Sequence, residues 1–192
     1  MRPVTGILLA AGCSMRFGAD KLLVPLPDGT PLGLAAARRM MRVLPRVLAV
    51  VRPGDQELSR RFAEEWVDVM ACAGAAQGMG RSLACGVAAA PEAGAWLIAL
   101  ADMPYIKDST FRRVTQALVG GAVLAAPVYR GKRGHPVGFG AVFRQALLAL
   151  DGDRGARELL AAHARDITLI EVDDAGILRD VDVPEDLHVD SC

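Results

Sequence analysis

The chain has 192 residues, 52% hydrophobic but only 5% aromatic, so a core of Ala, Val and Leu is expected within one domain spanning residues 1–192. Twenty-two basic residues balance twenty-two acidic ones, which leaves no global field to recruit nucleic acid or a membrane surface and makes any phosphate binding local. The Met1-Arg2-Pro3-Val4 start lacks a signal-peptide layout, and no apolar run reaches the roughly 18 residues of a membrane span, so a cytoplasmic protein is expected.

The first predicted element is a buried strand, Val4 to Leu9, broken only by Thr5 and Gly6. It feeds a loop of small residues, Ala10-Ala11-Gly12-Cys13-Ser14, followed by Arg16 and Lys21. Small residues let backbone N–H groups approach a ligand, and the two cations suit a polyphosphate. The spacing fits neither a P-loop nor a G-x-G-x-x-G dinucleotide fingerprint. Arg46 to Val51 reads as a second strand closed by Pro53-Gly54, with Asp55 capping a helix to about Glu65. A short strand over Val67–Met70, a helix over Met79–Ala90 and a fully apolar central strand over Trp96–Ala101 follow. Next come a helix over Asp108–Val119, a strand over Val123–Pro127, helices over Ala141–Leu150 and Ala156–Ala164, and a strand over Ile167–Val172. This alternation predicts an open, mostly parallel, Rossmann-like α/β sheet in three layers. Cys13, Cys72, Cys85 and Cys192 are scattered, so neither a zinc site nor a disulfide framework is expected.

In such sheets ligands bind beyond the carboxyl ends of strands, where the strand order switches. The small-residue loop leaves the first strand, and Asp102 leaves the central one in Leu100-Ala101-Asp102-Met103-Pro104, so both should open onto one site. A carboxylate there can reach a Mg²⁺ that bridges nucleotide phosphates; the alternative is a turn residue capping the helix near Asp108. Asp180-Val181-Asp182-Val183-Pro184-Glu185-Asp186-Leu187 offers a second carboxylate, or a helix cap. Gln77-Gly78-Met79-Gly80-Arg81-Ser82-Leu83 opens a helix with a glycine-freed backbone suited to a base edge or an anion. Arg130-Gly131-Lys132-Arg133 reads as a solvated hairpin tip, or as cations that steer an anionic substrate, before Gly134-His135-Pro136-Val137. In Gly152-Asp153-Arg154-Gly155-Ala156-Arg157, Asp153 could serve only as a cap.

The run from Leu8 to Leu23 resembles the nucleotidyltransferase signature loop L-A-A-G-x-S-x-R-[MF]-G-x-x-K-x-L. Together with G-M-G-x-S-L, G-H-P-V, G-D-x-G-A-R and a D-I-D-T-P-E-D-L-like close, in which Val183 replaces Thr, it resembles the molybdenum cofactor cytidylyltransferases of the MobA-like superfamily from Gly6 to Leu187. The resemblance implies a nucleotide-diphospho-sugar transferase-like fold and transfer of CMP from CTP to molybdopterin, with release of pyrophosphate. It implies catalytic roles for Arg16, Lys21 and Asp102, with Asp102 and Asp182 holding Mg²⁺, or Mn²⁺ in its place. Nucleotide contacts fall to Leu9, Ala10, Ala11, Gly12, Arg16, Lys21, Gly78, Met79, Gly80 and Ser82, and contacts with the pterin substrate to His135, Asp153 and Arg157. A molybdenum hydroxylase would be the client of the product. Guanylyl relatives carry L-A-G-G and a glycine after the lysine, where this chain has Ala11 and Leu22; its D-M-P, however, is the guanylyl form. Guanylyl transfer to the same cofactor, a sugar- or alditol-phosphate nucleotidyltransferase and a non-catalytic pterin carrier are the alternatives.

Overall fold

In the computed structural model, residues 3–12, 20–153 and 155–187 are described. Their strands are β1 (Val4–Leu9), β2 (Val47–Val51), β3 (Asp68–Ala71), β4 (Ala95–Leu100), β5 (Leu124–Tyr129), β6 (Lys132–Arg133), β7 (Val137–Gly140) and β8 (Ile167–Glu171). They form one sheet in the order β3-β2-β1-β4-β7-β5-β6, with β8 paired to β5. The pairs β1/β2, β1/β4, β2/β3 and β5/β8 are parallel. Strand β7 runs antiparallel between β4 and β5. The chain moves outward from β1 to β3 and then returns to place β4 on the other side of β1. The order therefore switches between β1 and β4, and in register Leu9 lies beside Leu100.

The helices are α1 (Leu32–Met41), α2 (Gln56–Glu64), α3 (Met79–Ala88), α4 (Asp108–Val119), α5 (Arg144–Leu148) and α6 (Arg157–Ala162). Period-2 alternation along β4 divides the core between two faces. Leu97 and Ala99 join Met40 of α1, Phe62 of α2 and Phe111 of α4 on one face. Trp96 and Ile98 join Leu83 of α3, Leu147 of α5 and Leu160 of α6 on the other. The result is a three-layer, open, mostly parallel sheet.

Several local expectations are corrected. Asp55 makes no cap bond to α2; its carboxylate accepts from Arg52 Nε at 2.9 Å instead, an ion pair outcompeting the cap. The helix expected over Ala141–Leu150 divides into a 3₁₀ turn, Ala141–Phe143, and α5. Helix α1 and strand β7 were not foreseen. Cys72 and Cys85 are joined in a disulfide with Cα atoms 6.0 Å apart. Their wide spacing in sequence hides that the residue after β3 meets α3 in the core. The basic hairpin tip is present: Tyr129 faces Lys132 in register, and Arg130 and Gly131 both have positive φ, as a tight two-residue turn requires.

Candidate active site

The carboxyl ends of β1 and β4 deliver the two halves of the site. Asp102 lies two residues beyond β4, and its backbone carbonyl accepts from Val181 N at 2.9 Å, which stitches the D-V-D-V segment alongside. Lys21 opens a 3₁₀ turn, Lys21–Leu23, capped by the Asp20 carboxylate and plugged into the core by Leu22. From there its ammonium donates to Asp102 Oδ2 at 3.0 Å, Asp182 Oδ1 at 2.9 Å and Val181 O at 3.0 Å. Burial pulls the Lys21 pKa down, but the hydrogen bonds and charges of Asp182 and Asp102 outweigh it, and the net shift is upward. Lys21 is therefore a fixed positive charge at neutral pH. Among the described residues, Asp102 Oδ1 is buried without a hydrogen-bond partner.

Two adjoining cavities open here. One, of about 310 Å³, is lined by Leu9, Ala10, Ala11, Gly12, Lys21, Gly78, Met79, Ser82 and Asp102, so most of the expected nucleotide contacts share one wall. Gly80 does not line it. The other cavity, of about 530 Å³, is lined by His135, Arg133 and Arg157. Leu9, Met79, Leu100 and Asp153 border both, so the two meet along a seam. Asp182 lines neither cavity and reaches the site through Lys21. Arg16, Ser14 and Cys13 lie outside the described residues, as does Arg154. Asp153 stands three residues before Ala156, the N-cap residue of α6.

The glycines of G-M-G have a second use. Gly78 has φ +121°, and a Cβ there would lie 2.3 Å from the Gly152 carbonyl carbon; one on Gly80 would lie 2.6 Å from Asp151 O. Gly80 N donates to Gly152 O at 2.8 Å. The two glycines thus seat the 151–153 turn against the start of α3, which sets Asp153 at the seam. His135 is desolvated, which pushes its pKa down against the opposing charge of Asp102, so it is neutral at pH 7. Its Nδ1 has no hydrogen-bond partner among the described residues.

Sequence reasoning missed three supports. The Asp186 carboxylate reaches back to accept from Asp182 N at 2.9 Å and Val183 N at 3.0 Å, which fixes the loop presenting Asp182. Those two bonds hold the Asp186 carboxyl below its ordinary pKa. Tyr105 donates to Leu187 O at 2.8 Å while Arg179 stacks on its ring at 4.7 Å. Buried Asp174 accepts from Lys107 N and Thr110 Oγ1, which holds the start of α4. The acidic residue spaced four after Asp182 was visible as a signal; the distant partners were not.

A sequence profile of the MobA-like NTP transferase domain matches residues 6–167. The chain belongs to this family. It is a nucleotidyltransferase-family chain whose seam between two cavities lies where the strand order reverses. It is 31% identical to the purine catabolism protein PucB of Bacillus subtilis, over 94% of this chain and 92% of that one. It is 30% identical to nicotine blue oxidoreductase of Paenarthrobacter nicotinovorans, over 96% and 95%. It is 27% identical to the molybdenum cofactor cytidylyltransferase of Escherichia coli, over 97% and 94%. Among solved structures, Rv0371c of Mycobacterium tuberculosis superposes with a TM-score of 0.85 at 25% identity, covering 96% of this chain and 95% of that one. A manganese complex of Rv0371c superposes with a TM-score of 0.79 at 24% identity, over 96% and 95%.

Proposed function

We propose that the protein transfers CMP from CTP to molybdopterin, releasing pyrophosphate and forming molybdopterin cytosine dinucleotide for a molybdenum hydroxylase. The observation that carries this reading is the seam: Lys21 and Asp102 stand in a small-residue cavity that opens directly onto a larger one bearing Arg133 and Arg157. A nucleotide in the first and an anionic acceptor in the second would meet at the α-phosphorus.

An oxygen of the molybdopterin terminal phosphate forms the new bond to that phosphorus. The bond from the α-phosphorus to the bridging oxygen breaks, and its electron pair leaves with pyrophosphate. The attacking oxygen is already ionised at neutral pH, so no general base is required and positioning and charge cancellation remain. Leu9 to Gly12 keep the nucleotide wall thin, and Met79 and Leu100 border the seam. Lys21, with Arg16, opposes the charge that grows on the leaving group. Arg133, Arg157 and Asp153 orient the acceptor beside neutral His135.

The residues fit a divalent cation. The carboxylates of Asp102 and Asp182, the former with one buried oxygen, Oδ1, unpartnered among the described residues, form a hard-oxygen donor set. Among the described residues no cluster of three or more acidic, His or Cys groups could hold a metal. An ion held here would draw its remaining ligands from phosphate and water, as Mg²⁺ does. When bound to Asp102 and Asp182, Mg²⁺ or Mn²⁺ would supply neutralisation of phosphate charge.

Cytosine is favoured over guanine by Ala11, whose methyl narrows the nucleotide cavity. We further assign the whole chain to one catalytic domain acting in the cytoplasm. Pyrophosphate release should be measured with CTP, GTP, ATP and UTP, with and without molybdopterin. Release that requires both CTP and molybdopterin supports the proposal. Release with no acceptor dependence, or none at all, defeats it, and the latter would leave open the redox chemistry named for the P. nicotinovorans relative.

A further inference from the structure

We propose that Lys21 is a place-holder cation: its ammonium fills the divalent-ion position, and it passes to the phosphates when nucleotide and metal enter together. The proposal rests on the nucleotidyl-transfer reading for the identity of the incoming anion. An ammonium has three N–H donors, and here all three are spent, on Asp102 Oδ2, Asp182 Oδ1 and Val181 O. In this arrangement Lys21 has no donor left for a phosphate. A lysine that also serves the phosphates must therefore have two positions.

The position it holds now is one a metal would choose. Two carboxylates and a backbone carbonyl are the oxygen ligands that hard divalent cations take. The ammonium leaves part of this set unused, since Asp102 Oδ1 is buried and has no partner among the described residues. The exchange needs little rearrangement. Lys21 stands on a turn anchored by Asp20 and by buried Leu22, so its flexible four-carbon stem can swing while the backbone stays in place. The ammonium also keeps Asp102 and Asp182 together in the absence of the ion, with Lys21 12% exposed against 49% for Asp182. Free metal is thereby refused, and metal carried with a polyphosphate is admitted, because the phosphates accept the displaced lysine. Nucleotide and metal should then each raise the affinity of the other by the same factor.

The test is a titration with Mn²⁺ alone, read by the paramagnetic resonance of the free ion, on wild type, Lys21→Met, Lys21→Met with Asp102→Asn, and Arg133→Met. Lys21→Met should bind Mn²⁺ about tenfold or more tightly than wild type, since a charge in direct contact with the site is removed. Adding Asp102→Asn should abolish the gain. Arg133→Met removes a nearby but non-contacting charge and should change the affinity by less than about twofold. With CTP present, and after allowance for Mn²⁺ held by free CTP, wild-type affinity should rise by a larger factor than that of Lys21→Met. Thermal unfolding by circular dichroism confirms the fold of each variant, and Lys21→Gln replaces Lys21→Met should that variant not fold. Equal Mn²⁺ affinity in wild type and Lys21→Met overturns the place-holder, as does an equal gain in Arg133→Met. A gain in Lys21→Met that CTP does not modulate keeps the place-holder and overturns the nucleotide reading instead.

Discussion

Asp102 carries its two oxygens into different surroundings: Oδ2 accepts from Lys21, and Oδ1 is buried without a partner among the described residues. Asp102→Asn keeps the shape and removes the charge. It should cut turnover by about a hundredfold or more, with little loss of stability, because Lys21 retains Asp182 and Val181 O. Near wild-type turnover of a folded Asn variant with Mg²⁺ would remove Asp102 from the chemistry. Arg157 borders only the larger cavity, so Arg157→Ala should raise the KM for the acceptor several-fold while the KM for nucleotide stays unchanged. Steady-state kinetics with each substrate varied in turn separates the two. At the base, Ala11 and Leu22 are not equivalent probes. Leu22 is 4% exposed and part of the core, so truncating it would cost several kcal/mol, about 2–5 for a buried leucine. Ala11→Gly alone is the usable variant, and it should narrow a preference for CTP over GTP.

At the scale of elements, the start of α3 and the 151–153 turn behave as one unit. Gly78→Ala forces a side chain into a positive-φ position and into the Gly152 backbone. It should destabilise the protein by about 1–3 kcal/mol and weaken binding of both substrates, because Met79 and Asp153 border both cavities. Calorimetry and binding of each substrate alone would test this; a lowered melting temperature with unchanged affinities would limit the interlock to stability. Arg38 of α1 grips the Glu65 carboxylate at the end of α2 with both Nε and Nη2, at 3.1 and 2.6 Å. That contact holds the Glu65 carboxyl below its ordinary 4.5. A depressed carboxylate stabilises the fold above its unfolded-state value, and the contribution is lost as pH falls through the lower folded value. The pair is partly solvated, so the effect is under about 1 kcal/mol. Glu65→Gln should therefore lower stability slightly at pH 7 and make no difference well below pH 4.5, as denaturant titrations at the two pH values would register.

For the whole molecule, the buried strands and the edge they share were legible because β1, β2 and β4 are apolar on both faces, as parallel strands between helix layers must be. From that edge alone, the convergence of Lys21 and Asp102 followed. Helix α1 was not legible: its sequence, LGLAAARRMM, has no contrasting polar face in its first two turns and begins after Pro31 with no side-chain cap. Strand β7 escaped because Val137-Gly138-Phe139-Gly140 is short and glycine-broken, and its pairing with both β4 and β5 is decided far away in sequence. The Cys72–Cys85 bridge depends on which segments meet in space, which no local pattern encodes, whereas the Asp186 clamp spans only four residues and carries a local signal. The seam between the cavities remains the centre of the account, and the mass of its product is the most direct test. Wild-type protein supplied with equal CTP and GTP, molybdopterin and Mg²⁺ should yield mainly molybdopterin cytosine dinucleotide with one pyrophosphate per product. A mainly guanine dinucleotide would contradict the base assignment, and the absence of any dinucleotide would contradict nucleotidyl transfer to molybdopterin.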